Sequence, residues 1–333
     1  MSGAAPRATE ALPQGGAPVL HGYYRCGPED FRVDEALGFA PAGAGEHVLV
    51  QVRKRGANTA WVGAELARRA AVPVGDVSWC GEKDRHAVTT QWFSVRDPRG
   101  SFAPAVGEGG EGWKVLASAR HGRKLRRGDH AGNRFRLRVH PEEGHAAPLA
   151  AAVASRLAEP VPNYFGPQRF GRDGANLAAA AAWVRGGRLP PRGASRGRIL
   201  SAARARLFNL VLAARVREGT AATVLEGDLT EAGVPTGPLW GRGRSPVRGA
   251  AAAVEAAALA EHGAWCERLE HAGLEQARRP LVLHLEAPAV TAADGALELA
   301  FALPPGAFAT AVLAALGPLR DAASPASLRG GGA

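Results

Sequence analysis

Between residues 31 and 138 apolar and polar side chains alternate in short runs. Phe31-Arg-Val-Asp-Glu, His47-Val-Leu-Val-Gln-Val-Arg, Thr90-Gln-Trp-Phe-Ser-Val and Arg134-Phe-Arg-Leu-Arg-Val-His carry that period of two, which predicts strands with one buried face. The stretch Asn58 to Ala70 follows another period. Asn58 and Thr59 can cap a helix, and Trp61, Ala64, Leu66 and Ala67 follow at helical spacing. One helix among several strands indicates a mixed α/β domain of the α+β type.

From about Glu159 to Leu281 the pattern changes. A Gly/Pro-rich aromatic segment leads into alanine-rich helical stretches at Ala175 to Val184 and Leu200 to Arg217, then into a turn-rich region with Gly/Arg-rich loops at 185–198 and 242–248. This reads as a separate helical unit. Strand-like alternation returns in Leu281-Val-Leu-His-Leu-Glu and Ala296-Leu-Glu-Leu-Ala-Phe-Ala-Leu, and Phe308 to Leu316 predicts a helix. The late strands fit either the first domain's sheet, closing around an insertion, or a second consecutive domain; the pattern allows both. A length of 333 residues exceeds what one core usually organises, so two domains are expected. Residues 1–18 and 321–333 are small and unpatterned and are expected to be flexible tails.

Composition narrows the function classes. An apolar fraction of 46% with 22% charged residues excludes a disordered chain. A net charge of +10 points to a polyanionic partner, with nucleic acid foremost, because cations that meet phosphates release condensed counterions. Arginine supplies most of that charge, with lysine only at Lys54, Lys83, Lys114 and Lys124, and a GC-rich genome produces the same bias. Cys26, Cys80 and Cys266 stand far apart with no C-x-x-C pair, so neither a disulfide framework nor a zinc site is expected and a reducing cytoplasm fits. Residues 1–19 lack the apolar core of a signal peptide, and the alanine-rich runs at 146–154 and 250–260 are too short or too interrupted to span a bilayer.

The densest polar cluster is Cys80-Gly-Glu-Lys-Asp-Arg-His-Ala-Val-Thr-Thr-Gln-Trp-Phe, a polar loop ahead of a strand. Asp84 stands between Lys83 and Arg85, two cations that attract a carboxylate, and a carboxylate there can serve as nucleophile or base, or as an ordinary loop acid in an ion-pair network. Phe31 and Phe308 fit a core as well as a stacking face, and Asn133 fits a turn as well as a ligand contact. Asn163-Tyr-Phe-Gly-Pro-Gln-Arg-Phe-Gly-Arg interleaves aromatics with Arg169 and Arg172, which suits base stacking and phosphate neutralisation or a rigid interdomain corner. The basic run from Arg120 to Arg138 surrounds Asn133 and reads as an RNA track or a solvated surface.

Gly81-Glu-Lys-Asp-Arg-His-Ala-Val-Thr-Thr-Gln resembles the signature of the TruD family of tRNA pseudouridine synthases, in which a Gly-x-Lys-Asp loop precedes a Thr/Gln strand. Further segments match that family in order: Pro28-Glu-Asp-Phe-Arg-Val-Asp-Glu, Gly132-Asn-Arg-Phe-Arg-Leu, Val161-Pro-Asn-Tyr-Phe-Gly-Pro-Gln-Arg-Phe-Gly-Arg, Pro235-Thr-Gly-Pro-Leu-Trp-Gly and Phe301-Ala-Leu-Pro-Pro-Gly-Ala-Phe-Ala-Thr. The late helix departs from it, reading Val312-Leu-Ala-Ala-Leu where relatives often carry an Arg-Glu pair.

The resemblance implies a pseudouridine synthase catalytic domain over 19–158 and 283–320, with a mixed, mainly antiparallel sheet and flanking helices. An inserted α/β domain over 159–282 interrupts it. It implies an isomerase that converts a uridine of tRNA, the one at conventional position 13 in the D-arm region, to pseudouridine. Asp84 is then the nucleophile, and Phe31, Asn133 and Phe308 contact the substrate. The reaction changes no redox state, so no cofactor is expected; nor is a metal, and the chain is expected to act as a monomer with tRNA as its partner. Two other classes compete: an RNA-binding protein or chaperone without chemistry, and a nucleoside glycosidase, which needs a second carboxylate such as Glu29, Asp30, Asp34 or Glu35.

Overall fold

The structure is a computed structural model that describes residues 12–142 and 145–323. The chain forms two compact units. Among the described residues, one comprises Pro18–Ala158, Leu285–Gly306 and 316–323; the other comprises 12–17, Glu159–His284 and Ala307–Ala315.

The first unit is built on an 11-stranded mixed sheet. The strand Gly132–Pro141 lies between Phe31–Ala36 and Ala296–Leu303, antiparallel to both. Phe31–Ala36 runs parallel to Val88–Arg96, which pairs antiparallel with His47–Arg55, and that strand with Trp113–His121. Glu286–Ala293 extends the sheet beside Ala296–Leu303, and the short strand Gly22–Tyr24 pairs parallel with Leu319–Asp321. Apart from the two parallel pairs the sheet is antiparallel, so most of its connections can be short.

Alternation decides which residues this sheet buries. Val48, Val50 and Val52 on one strand and Phe93 and Val95 on the next point into a core closed by Val62, Leu66 and Ala67 of the helix Thr59–Ala70. Asn58 sits at that helix's N-cap position, although its side chain makes no capping hydrogen bond. Gly63 lets the helix close on Trp79: a Cβ at residue 63 would lie 2.7 Å from the indole ring. Further along the sheet Phe135 stacks on Phe301 at 5.5 Å and meets Phe31 edge-on at 6.2 Å, a geometry that suits the ring quadrupoles.

The second unit surrounds the helix Ala194–Arg217, whose Ile199, Leu200, Ala203, Leu207, Phe208, Val211 and Leu212 are buried. The recurrence of these residues on nearly every side explains why the helix is central rather than amphipathic. The helices Ala175–Val184 and Gly263–Glu270 contribute Leu177, Trp183, Trp265 and Leu269 to the same core. Val234–Leu239 pairs with Ala277–Pro280 in a small antiparallel sheet. Asn209, buried in the long helix, accepts from the Phe165 N–H at 2.9 Å and donates to its carbonyl at 3.0 Å.

Some elements differ from the expectations. The long helix begins at Ala194, so its first turn takes up the end of the expected 185–198 loop. The run Leu281 to Glu286 is not one strand: Val282–Leu283 pairs with Val161–Pro162 in the second unit, and Glu286 opens a strand of the first. Much of the two expected tails lies outside the described residues. Within them, the Pro13 carbonyl accepts the Tyr164 hydroxyl at 2.8 Å and Asp321 closes a strand. Among the described residues no helix is long and apolar enough to cross a membrane.

Candidate active site

Asp84 lies in the loop between the short strand Val77–Trp79 and Val88–Arg96, with its side chain 34% exposed. The loop is held from behind by two lysines and in front by an arginine. The Lys83 side chain turns inward to Glu35, with Nζ to Oε2 at 2.6 Å, and the Glu35 carboxylate is fully covered. The other oxygen of Glu35 accepts the Trp92 N–H at 3.0 Å. Lys54 reaches the loop from the neighbouring strand and donates to the carbonyls of Lys83 and Asp84, both at 3.0 Å. Thr59 accepts the Lys83 N–H at 3.0 Å and donates to Gln91 at 2.9 Å.

With its backbone fixed in this way, Asp84 presents its carboxylate to Arg25. Oδ2 pairs with Arg25 Nη1, and Oδ1 accepts the His86 N–H at 2.9 Å. Arg25 is itself positioned by Asp321, whose Oδ1 accepts from Nε at 2.9 Å, and its guanidinium lies 5.4 Å from the ring centroids of both Tyr24 and Phe31. A planar cation between two carboxylates and against two aromatic faces has little freedom.

Of the residues singled out in the sequence, the structure links three in this unit. Phe31 is 7% exposed and touches Arg25, the partner of Asp84. Asn133 stands opposite Glu35 in strand register, and Glu35 holds Lys83. Among the described residues the Asn133 Oδ1 and His130 Nδ1 are buried without a hydrogen-bond partner, while the Asn133 amide nitrogen lies 3.4 Å from His130 Nε2. Burial first, then the charge of Lys83, pushes His130 below its ordinary value. A buried polar atom of this kind is free to accept a hydrogen bond from a water or a ligand group.

Phe308 belongs to the other unit. There it packs on Phe165 at 6.2 Å, with the Arg169 guanidinium 5.5 Å from its ring. Arg169 also donates to the Ser201 hydroxyl at 2.9 Å, and Arg279 lies 4.2 Å from the centroid of Phe165. Asn163 is structural: its amide nitrogen donates to the Pro280 carbonyl at 2.9 Å and its oxygen accepts from Arg279.

Of the two cations that flank Asp84 in the sequence, Lys83 does not pair with its carboxylate, because the buried charge of Glu35 holds the ammonium. Arg25, Lys54 and Glu35 carry much of the site, yet nothing in the spacing of the chain joins them to residue 84. In the basic run, Arg120 pairs with Asp97, Arg123 with Asp129 and Arg138 with Asp294. On the strands, Arg32, Arg53, Arg55, Lys114 and Arg136 line an open groove of about 760 Å³, together with Glu29 and Asp34.

The three cysteines are free, and burial raises the Cys80 thiol to about 12 and that of Cys266 to about 11. Among the described residues two groups have metal-ligating chemistry, Cys26 with Asp30 and His140, and Glu35 with Cys80 and His130. Asp30 already bonds His140 and the Gly27 N–H, both at 3.1 Å, and Glu35 holds Lys83.

The fold recurs in a solved structure: a crystal structure assigned as tRNA pseudouridine synthase D (TruD) from Methanosarcina mazei superposes with a TM-score of 0.65 at 21% identity, covering 93% of this chain and 95% of that one. The family model for tRNA pseudouridine synthase D (TruD) matches residues 16–185. Proteins named tRNA pseudouridine synthase D are 43% identical in Aeromonas hydrophila, over 90% of this chain and 91% of the relative, and 44% identical in Nitrosococcus oceani, over 91% and 93%. The relative of that name in Xanthomonas axonopodis pv. citri is 42% identical over 94% of this chain and 96% of its own. The chain belongs to the tRNA pseudouridine synthase D (TruD) family.

Proposed function

We propose that this protein isomerises a uridine of tRNA to pseudouridine with Asp84 as the nucleophile, and that the uridine is the one at conventional position 13. The observation that carries this reading is the Asp84 carboxylate itself. It is partly exposed, held by Arg25 and the His86 N–H, on a loop whose backbone is fixed by buried lysines. Such preorganisation suits a group that must meet one carbon of a flipped nucleotide.

The reaction breaks the N1–C1′ bond and forms C5–C1′, while the proton lost from C5 is balanced by one gained at N1. Asp84 acts on the ribose either by attacking C1′ or by taking a proton from C2′. In both routes the detached uracil has to be held and turned in place. Phe31, Asn133 and Phe308 serve as its contacts in this reading: aromatic faces for stacking and an amide for the base edge. The unpartnered Asn133 Oδ1 supports that role. No redox step or external donor enters, so the reaction needs no cofactor.

RNA as the partner finds support in the groove. Arg32 stands directly opposite Arg136, and Arg53 opposite Lys114. Like charges in register repel, and a polyanion laid across them relieves the repulsion. The boundaries between the two compact units at Ala158/Glu159 and His284/Leu285 support an insertion over 159–282 in a catalytic domain proposed over 19–158 and 283–320, although Ala307–Ala315 groups with the insert.

The test is Asp84→Asn with tRNA substrate. Pseudouridine formation should be lost while tRNA binding is retained. Unchanged product would remove the nucleophile assignment, and release of free uracil by the wild type would favour a glycosidase.

A further inference from the structure

Lys54 is 1% exposed at the end of the strand His47–Arg55. Its Nζ donates to three carbonyl oxygens, those of Ala57 at 2.9 Å and of Lys83 and Asp84 at 3.0 Å. An ammonium has three donors, and each one here meets the backbone. These partners are peptide dipoles rather than a carboxylate. Burying a cation on such terms costs free energy that an apolar side chain of similar length would avoid. Packing alone therefore does not account for a lysine at this position.

We infer that Lys54 is a positioning residue for catalysis: by gathering the carbonyls of Ala57, Lys83 and Asp84 onto one ammonium, it fixes the peptide that carries the Asp84 carboxylate. The inference rests on Asp84 being the nucleophile. Asp84 has its side chain committed to Arg25 and the His86 N–H, so Lys54 works on the backbone beneath and leaves the carboxylate's direction to those two. Lys54 lies beneath the groove lined by Arg53 and Arg55, but it is 1% exposed with its three donors on the backbone, so losing the clamp would let the loop shift without removing an exposed cation.

The charge state separates this role from a purely structural one. Burial lowers Lys54 from 10.5 to about 8, with Asp84 and Glu82 opposing the fall and Lys83 adding to it. Its strand neighbours Thr89 and Trp113 are uncharged. Between about 8 and 10.5 the unfolded chain keeps a proton that the folded chain has released. The unfolded state then binds more protons, so this group's contribution to stability rises with pH. The clamp itself weakens over the same range. Activity and this part of stability therefore move in opposite directions.

The experiment uses the full chain and unmodified tRNA transcript, with single-turnover conversion at saturating enzyme, tRNA affinity by filter binding, and thermal melting. Lys54→Met should convert tRNA more slowly on the order of a hundredfold, the scale of a small misplacement of a reacting group, with affinity unchanged to within about threefold. The wild-type rate should fall above about 8, a fall absent from Lys54→Met. Lys54→Arg, which keeps its charge, should move that fall to higher pH and decides the matter if the Met variant does not fold. A folded Lys54→Met with the wild-type rate, a loss confined to affinity, or an alkaline fall shared by wild type and both variants would overturn the inference. An active Asp84→Asn in the same assay would instead overturn the nucleophile reading beneath it.

Discussion

Glu35 and Lys83 form a 2.6 Å ion pair with the carboxylate fully covered, one residue before Asp84 in the chain. Removing one member of a buried pair leaves the other charge stranded. Glu35→Gln is expected to lower stability by about 3 kcal/mol, measured by urea unfolding. Turnover of tRNA should fall with it even at temperatures where the variant stays folded, because Lys83 would no longer hold the loop down.

Arg25 gives the opposite balance. Its pair with Asp84 is partly open to solvent, so Arg25→Met should change stability by only about 1 kcal/mol while lowering pseudouridine formation far more. Arg25→Lys should recover part of the rate, since one ammonium can reach a carboxylate but cannot bridge two as the guanidinium does. Equal losses in the Met and Lys variants would argue that stacking on Tyr24 and Phe31, not charge, is what matters.

At Asn133 the side-chain oxygen has no partner to lose. Asn133→Ala should therefore leave the melting temperature close to that of the wild type, with a stability change within about 1 kcal/mol. Conversion of tRNA should drop sharply. A variant that melts early but converts normally would make Asn133 a structural residue.

Gly63→Ala sets helix propensity against packing. Alanine favours the helix by about 1 kcal/mol, but its methyl would lie 2.7 Å from the ring of Trp79, itself packed on Phe93. Overpacking should win, with a net loss of about 1 to 2 kcal/mol by chemical denaturation and a change in tryptophan fluorescence.

In the second unit, Asn209→Leu removes both hydrogen bonds to the Phe165 backbone and leaves a buried N–H and C=O unsatisfied. A loss of about 2 to 3 kcal/mol is expected, and Asn209→Asp should recover only the bond to the N–H.

Gly132–Pro141 was legible because one face is buried and the other largely wet, whereas His47–Arg55, also expected to bury one face, buries both over its first half, with Val48 and Val50 in one core and Leu49 in another. Trp113–His121 escaped because an irregularity opposite Gln51 and Val52 shifts its register and breaks the alternation. The first turn of the Ala194–Arg217 helix contains Gly197 between arginines, and its helical state comes from continuation of the helix rather than local propensity. The loop around Asp84 stood out by charge and by family likeness, whereas its partners Arg25 and Glu35 come from distant strands and segments. Contacts formed across a sheet leave no trace in local spacing, so the order of charges around Asp84 could not show that Lys83 is held by Glu35 and that Arg25 meets Asp84.

Arg25 meets Asp84 on one side and Asp321 on the other, and Leu319–Asp321 pairs with Gly22–Tyr24 just ahead of it. During synthesis nearly three hundred residues separate the emergence of Arg25 from that of Asp321, since the two lie 296 positions apart. A nascent chain can fold its loop and its aromatic stack, but its arginine still lacks one anchor until residue 321 has cleared the ribosome. The surroundings of Asp84 are thus drawn from both halves of the chain, and the arginine beside it gains its second anchor only after both compact units have been made.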